Sequence, residues 1–115
     1  MATIKDSQRQ ERALAREVQG SVNAGSGNGW VRKGDVRADK ELWELKITSA
    51  KSFSLKYDDL RKVFEQAIVD GRIPIFLVEF MKQGESYVVL TKDDYMEMRT
   101  AYFGNETENE LAEVV

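Results

Sequence analysis

Three side chains in the first half of this sequence are of the types that hydrolyse phosphodiesters with the help of a divalent cation: Asp35, Glu44 and Lys46. That chemistry needs carboxylates converging from rigid elements onto a hard metal ion, and a cation beside the attacking water and the phosphate. Glu44 and Lys46 alternate with apolar Trp43, Leu45 and Ile47, a pattern that places both polar side chains on one face of a strand. Asp35, near the end of a preceding strand, can converge on Glu44 across a hairpin. Lys46 would then position or polarise the water and meet the charge developing at phosphorus, while the Leu45 carbonyl offers a further metal ligand. By itself a Glu-x-Lys pair is more often an exposed ion pair, and a lone aspartate a turn residue. The elements around them decide between the two readings.

Residues 30–36 and 42–48 read as strands rich in β-branched and aromatic side chains, joined by a turn over 38–41. Upstream, Ser7 and Gln10 have capping-box spacing, which predicts a helix from 7 to about 20 with Leu14, Ala15, Val18 and Val22 as its apolar stripe. Between helix and strand, residues 23–29 alternate glycine with small polar side chains, as a tight, backbone-exposed loop does. A nucleotide cradle would need a strand before those glycines and a helix after them, the reverse of the order here. The composition fits a loop whose backbone approaches a DNA phosphate, or a plain connector. Downstream, a helix starting at Ser54 or Asp58 ends at Gly71, with Leu60, Val63, Phe64, Ala67 and Ile68 on one side. The apolar run 73–80 suits a central strand, with Pro74 near its start where a missing donor is tolerated. A further strand covers 87–90, and Thr91 and Asp94 cap a last helix that ends at about Phe103. Residues 1–103 are thus expected to form one domain and 104–115 an acidic, flexible tail. The expected order, αββαββα, suits an α/β fold with a single mixed β-sheet flanked by helices. Tyr95, Met96, Tyr102 and Phe103 are many large apolar groups for a short terminal helix, and are expected to finish the core and also cover a dimer face.

The first helix supplies a fourth candidate. At ~100° per residue, Glu11 projects about +60° from Leu14, between Val18 at about +40° and Ala15 at about +100°. A carboxylate inside the apolar stripe is costly unless it is paired, protonated or bound to metal. Arg12 and Arg16 lie nearly opposite, and the sheet face that the stripe meets is expected to carry Asp35 and Glu44. Glu11 should therefore complete the acidic site as a metal ligand. A rotated helix would instead let it reach solvent, and Glu17 is the next candidate.

Composition narrows the chemistry further. A chain of 115 residues fits one small domain, and 42% hydrophobic with 32% charged residues is the balance of a folded chain. Cysteine and histidine are both absent, which excludes disulfides, thiolate zinc sites, cysteine nucleophiles and histidine bases, and leaves any metal on oxygen ligands. No apolar run approaches the ~18 residues of a membrane span, and the polar N-terminus lacks a signal-peptide core, so a cytoplasmic location with no membrane partner is expected. The net charge of −3 counts against nucleic acid, but the acidic residues are unevenly placed. Residues 1–56 hold 11 basic against 7 acidic side chains. Arg32, Lys33, Arg37, Lys40, Lys51 and Lys56 flank the proposed site and are candidate phosphate contacts, although any one of them taken alone is more often a solvated surface charge.

A small-residue loop, a strand bearing Gly34-Asp35, and a hairpin to Glu44-Leu45-Lys46 together resemble the PD-(D/E)XK nuclease superfamily, with Gly34 in place of the usual proline. Across roughly residues 10–80 the chain resembles archaeal-type Holliday junction resolvases and their small phage-encoded relatives, through the first-helix acid, the Gly-Ser-Gly loop, the aspartate strand, and the Glu-x-Lys strand followed by Thr48 and Ser49. The resemblance implies a restriction-endonuclease-like fold with Glu11, Asp35 and Glu44 holding Mg²⁺ (or Mn²⁺), Lys46 catalytic, and Ser26 assisting. It further implies a homodimer that makes paired nicks in a four-way DNA junction and leaves 5′-phosphates. Gly34 and the acidic balance depart from the family pattern. Two alternatives stay open: a nuclease of this kind acting on other DNA structures, and a non-catalytic DNA-binding subunit of the same fold.

Overall fold

Thr3 opens the first helix, α1 (Ile4–Val18), through a reciprocal pair of bonds: its hydroxyl accepts the Asp6 N–H, and the Asp6 carboxylate accepts the Thr3 N–H at 2.9 Å. The helix therefore starts one turn before the Ser7-Gln10 box expected from sequence, because Thr3 and Asp6 satisfy the same orphan donors with a shorter acid. The computed structural model describes residues 2–22 and 35–114, with side chains through Gly104. Gln19 ends α1 in the left-handed conformation, φ 54°, and the Gly20 N–H returns to the Ala15 carbonyl at 2.8 Å.

That reversal creates a short strand, β1 (Ser21–Val22), where sequence places the end of the helical stripe. Seven elements follow α1 in the order β1, β2 (Val36–Arg37), β3 (Glu41–Thr48), α2 (Tyr57–Asp70), β4 (Ile73–Phe80), β5 (Glu85–Val89) and α3 (Lys92–Val114). The fold is mixed α/β as expected, with one strand more than αββαββα. The five strands form one open sheet in the order β1-β2-β3-β4-β5. Only β3 and β4 run parallel, joined by α2 as the crossover. β2 reaches Arg37, one residue beyond its expected end, and the rest of the expected 30–36 strand lies outside the described residues. At Gly20 a Cβ would sit 2.6 Å from the Arg37 carbonyl oxygen, so glycine is what lets β1 approach β2.

Register divides the sheet into two faces. Trp43, Leu45, Ile75 and Leu77 share one face and pack with Val36 against Leu14 and Ala15 of α1. An Arg9–Glu79 ion pair at 2.7 Å ties α1 to β4 on that side. Leu42 on the other face packs with Val63 and Ala67 of α2. Phe76 is on this second face too, and Phe53 of the β3–α2 connection stacks obliquely on it at 6.2 Å. Ile68 is 60% exposed rather than part of the α2 stripe, since Val63 and Ala67 set the centre of the buried side and Ile68 falls about 120° from it.

Two corrections concern the C-terminal end. α3 continues to Val114, past Phe103 where its end was expected, through a stretch rich in the helix formers Glu, Leu and Ala. Its apolar side chains do not finish the core: Tyr95, Met96, Met98, Tyr102 and Phe103 are all exposed.

Candidate active site

The site forms at the start of β2, beside β3. Val36 is the register partner of Trp43, yet the Asp35 N–H also donates to the Trp43 carbonyl, at 2.8 Å. Two residues of one strand thus address one residue of the other, in the manner of a β-bulge, which re-aims the side chain at that point. The Asp35 carboxylate swings into the plane of the sheet and accepts the Leu45 N–H at 2.8 Å. The Leu45 carbonyl lies on the same side of the strand as that N–H and so faces the same gap.

Glu44 and Lys46 share a face of β3, as alternation predicts, with the ammonium 3.8 Å from the carboxylate. That face is the one covered by α2, because Leu42 two residues earlier packs on Val63 and Ala67. Burial raises Glu44 to about 7; the Asp35 charge pushes the same way, Lys46 opposes it, and Asp59 and Lys62 of α2 act with smaller and opposite effects. Burial also raises Asp35, against the pull of the Leu45 N–H and the Lys46 ammonium. Glu11 is raised by its own burial and then by Asp35, with Arg12 lowering it. Asp35 is thus the common neighbour of both glutamates.

The helical-wheel expectation for Glu11 needs two corrections. α1 covers the Trp43 and Leu45 face, so Glu44 projects to the opposite side of the sheet, and the carboxylate whose charge Glu11 feels is that of Asp35, which sits in the sheet plane. Nor is Arg12 out of reach, since its charge lowers Glu11.

Sequence reasoning passed over Gln10. It is 5% exposed, and its amide donates to the Lys46 carbonyl at 2.8 Å, pinning the catalytic end of β3 to α1. The helical wheel does not single it out: at about −40° from Leu14, Gln10 falls just outside the stripe that runs from Leu14 to Ala15, and it is the packing of α1 on β3 that buries it. Asp59 and Lys62 were likewise missed, since only the α2 crossover brings them to Glu44. Arg37 does not stand among the open cations; it is ion-paired with Asp70, which Arg72 also approaches at 3.7 Å, and its side chain is 15% exposed. It clamps the hairpin to the end of α2. Lys40, Lys51 and Lys56 are exposed. Ser26, Arg32, Lys33 and the Gly-Ser-Gly loop lie outside the described residues.

Among the described residues no group of three or more acidic side chains forms a ready-made metal cage. Asp35 and Glu44 nevertheless suit a small hard cation: both are oxygen donors, each is destabilised in its charged form, and the Leu45 carbonyl faces the same gap. Mg²⁺ commonly rests on one or two carboxylates, keeps several waters and completes its shell with substrate phosphate. When bound, such an ion supplies a Lewis acid and an activated water. This chain matches no family model, no curated protein and no solved structure. The site's chemistry therefore rests on its own residues.

Proposed function

We propose that this chain is a Mg²⁺-dependent DNA endonuclease with a restriction-endonuclease-like core, and that its substrate is a four-way Holliday junction cut by a homodimer. The observation that carries the reading is the convergence of Asp35 with Glu44 and Lys46 where β2 begins beside β3. Asp35 and Glu44 hold the cation, with Glu11 reaching it from α1 directly or through water. Lys46 places the attacking water and meets the charge developing on the phosphate. Lys51 and the cations around the loop contact the backbone of branched DNA. The place of action is the cytoplasm, as for a small phage-encoded enzyme; among the described residues no helix is long and apolar enough to cross a membrane.

A dimer follows from the substrate, since two opposed strands call for two active sites related by a two-fold axis. The exposed Tyr95, Met98 and Tyr102, spaced three and four apart on α3, offer a face for the second copy. The test is a gel assay of a labelled four-way junction beside linear duplex of equal length, with Mg²⁺ and with EDTA. Paired nicks that require Mg²⁺ and spare the duplex are expected. Equal cutting of duplex and flaps would leave the nuclease but remove the junction, and no cutting of any DNA would leave a DNA-binding subunit.

A further inference from the structure

Outside the catalytic residues, the sheet face shared by Glu44 and Lys46 carries a second constellation. Register runs Lys46 to Val78 to Tyr87 across β3, β4 and β5, so Lys46 and Tyr87 stand in one row, two inter-strand steps or about 10 Å apart. The neighbouring row is Thr48, Phe80 and Glu85. At the end of these rows Lys51, Phe80, Gln83, Glu85 and Tyr87 line a cavity of about 350 Å³. Phe80 and Tyr87 meet edge to face at 6.0 Å, and Tyr87 is 56% exposed while its hydroxyl donates to Glu85. The aromatic pair is therefore held in a fixed attitude with one ring open to the cavity.

An open aromatic ring, an ammonium and two side chains able to hydrogen-bond heterocycle edges form the set that takes an unstacked nucleotide. The ring stacks on any base, the lysine meets its phosphate, and the amide and carboxylate address polar atoms on its edge. An apolar partner would leave Lys51 and Glu85 without a role. The volume falls within the roughly 300–1,000 Å³ typical of small-ligand sites.

We propose that this cavity binds one unstacked nucleotide of the DNA strand being cut, stacking its base on Tyr87 with Lys51 on its phosphate. The assignment of the strand as the one cut rests on the nuclease reading of Asp35, Glu44 and Lys46; the binding of the base does not. A branched or single-stranded substrate supplies such a base, whereas an intact duplex must first unstack one.

The full chain in EDTA, where cutting is stopped, is titrated into a thymidine oligonucleotide carrying one 2-aminopurine, whose fluorescence falls when the base stacks. Saturable quenching is expected for the wild type, for Glu44→Gln and for Tyr87→Phe. Tyr87→Ala should bind about tenfold more weakly or lose the quench, and Lys51→Ala should weaken binding and lower the salt slope by about one. Circular dichroism on each variant checks folding, which the exposed position of Tyr87 favours. If Tyr87→Ala quenches as the wild type does, the proposal is overturned. It is equally overturned if Tyr87→Ala keeps the quench and lowers the mass in light scattering, which would make the cavity a contact between protein chains. Tyr87-dependent quenching by a protein that cuts no DNA with Mg²⁺ would support the nucleotide site and sink the nuclease reading instead.

Discussion

At the scale of single residues, the charge state of Glu44 links stability to chemistry. Its carboxyl is raised from 4.5 to about 7 in the fold, so the native state holds this proton more tightly than the unfolded chain does. Stability from that proton is complete below about pH 4.5 and is lost as pH rises through about 7. Asp35 and Glu11 are shifted in the same direction and add to the trend. In EDTA, thermal unfolding should therefore occur at higher temperature at pH 5 than at pH 8, by up to about 3 kcal/mol of stability. Glu44→Gln should flatten that dependence and abolish cleavage while junction binding persists. An unchanged pH profile in this variant would show that Glu44 is not the group responsible. Lys46→Ala should lose most turnover but keep metal affinity, a split visible when Mn²⁺ binding by calorimetry is set beside single-turnover rates. Glu11→Gln should reduce Mg²⁺-dependent cleavage at least tenfold and leave unfolding temperature equal or higher, since it removes a carboxylate that Asp35 repels. Wild-type cutting across a Mg²⁺ titration would take Glu11 out of the site.

At the scale of elements, the site depends on how closely β1 and β2 approach. Gly20→Ala would force a methyl group against the Arg37 carbonyl oxygen, 2.6 Å away, and part β1 from β2. We expect a loss of about 1–3 kcal/mol in denaturant unfolding, with a larger proportional loss of cleavage because Asp35 rides on β2. Equal stability would mean that this backbone contact yields without cost. The same region shows what sequence could and could not convey. β3 and α2 were legible because each repeats its period for several pleats or turns, and β4 because its apolar run is long enough for a central strand; its bounds 73–80 match residue for residue. Alternation likewise put Glu44 and Lys46 on one face correctly. A two-residue strand such as β1 carries no period, so Val22 was read as helix. Which face of the sheet receives α1 depends on the register of β3 with β4, a long-range property, so Glu44 was expected beneath α1 and lies beneath α2. The burial of Gln10 was not legible, because on the helical wheel it falls about 40° outside the stripe edge at Leu14 and its capping-box spacing from Ser7 supplied another explanation.

At the scale of the whole molecule, the described apolar side chains of α3, Tyr95, Met96, Met98, Tyr102 and Phe103, lie outside both core clusters. In a dimer built on this face, Met98→Glu with Tyr102→Glu should shift light-scattering mass from dimer to monomer. Paired junction cutting should then fall to single nicks, while the rate of each nick changes little. A monomeric wild type that still makes paired cuts at micromolar concentration would remove the dimer.

Among the described residues the β1–β2 and β2–β3 ladders have two register pairs each, whereas β3 and β4 share eight. Among these residues Asp35 thus stands beside the shortest ladders of the sheet, and Glu44 and Lys46 belong to the longest. Such a patch can open on its own, at a free energy far below that of global unfolding. Amide hydrogens of Asp35 and Val36, and with them that of Leu45, whose N–H is held by the Asp35 carboxylate, should exchange with deuterium orders of magnitude faster than those of Lys46 and Leu77. A cation bound between Asp35 and Glu44 would slow the first group selectively, by mass action on the closed form. The acidic pair would then come and go as a local folding equilibrium, and the protein could be fully folded by every global measure while Asp35 is out of place.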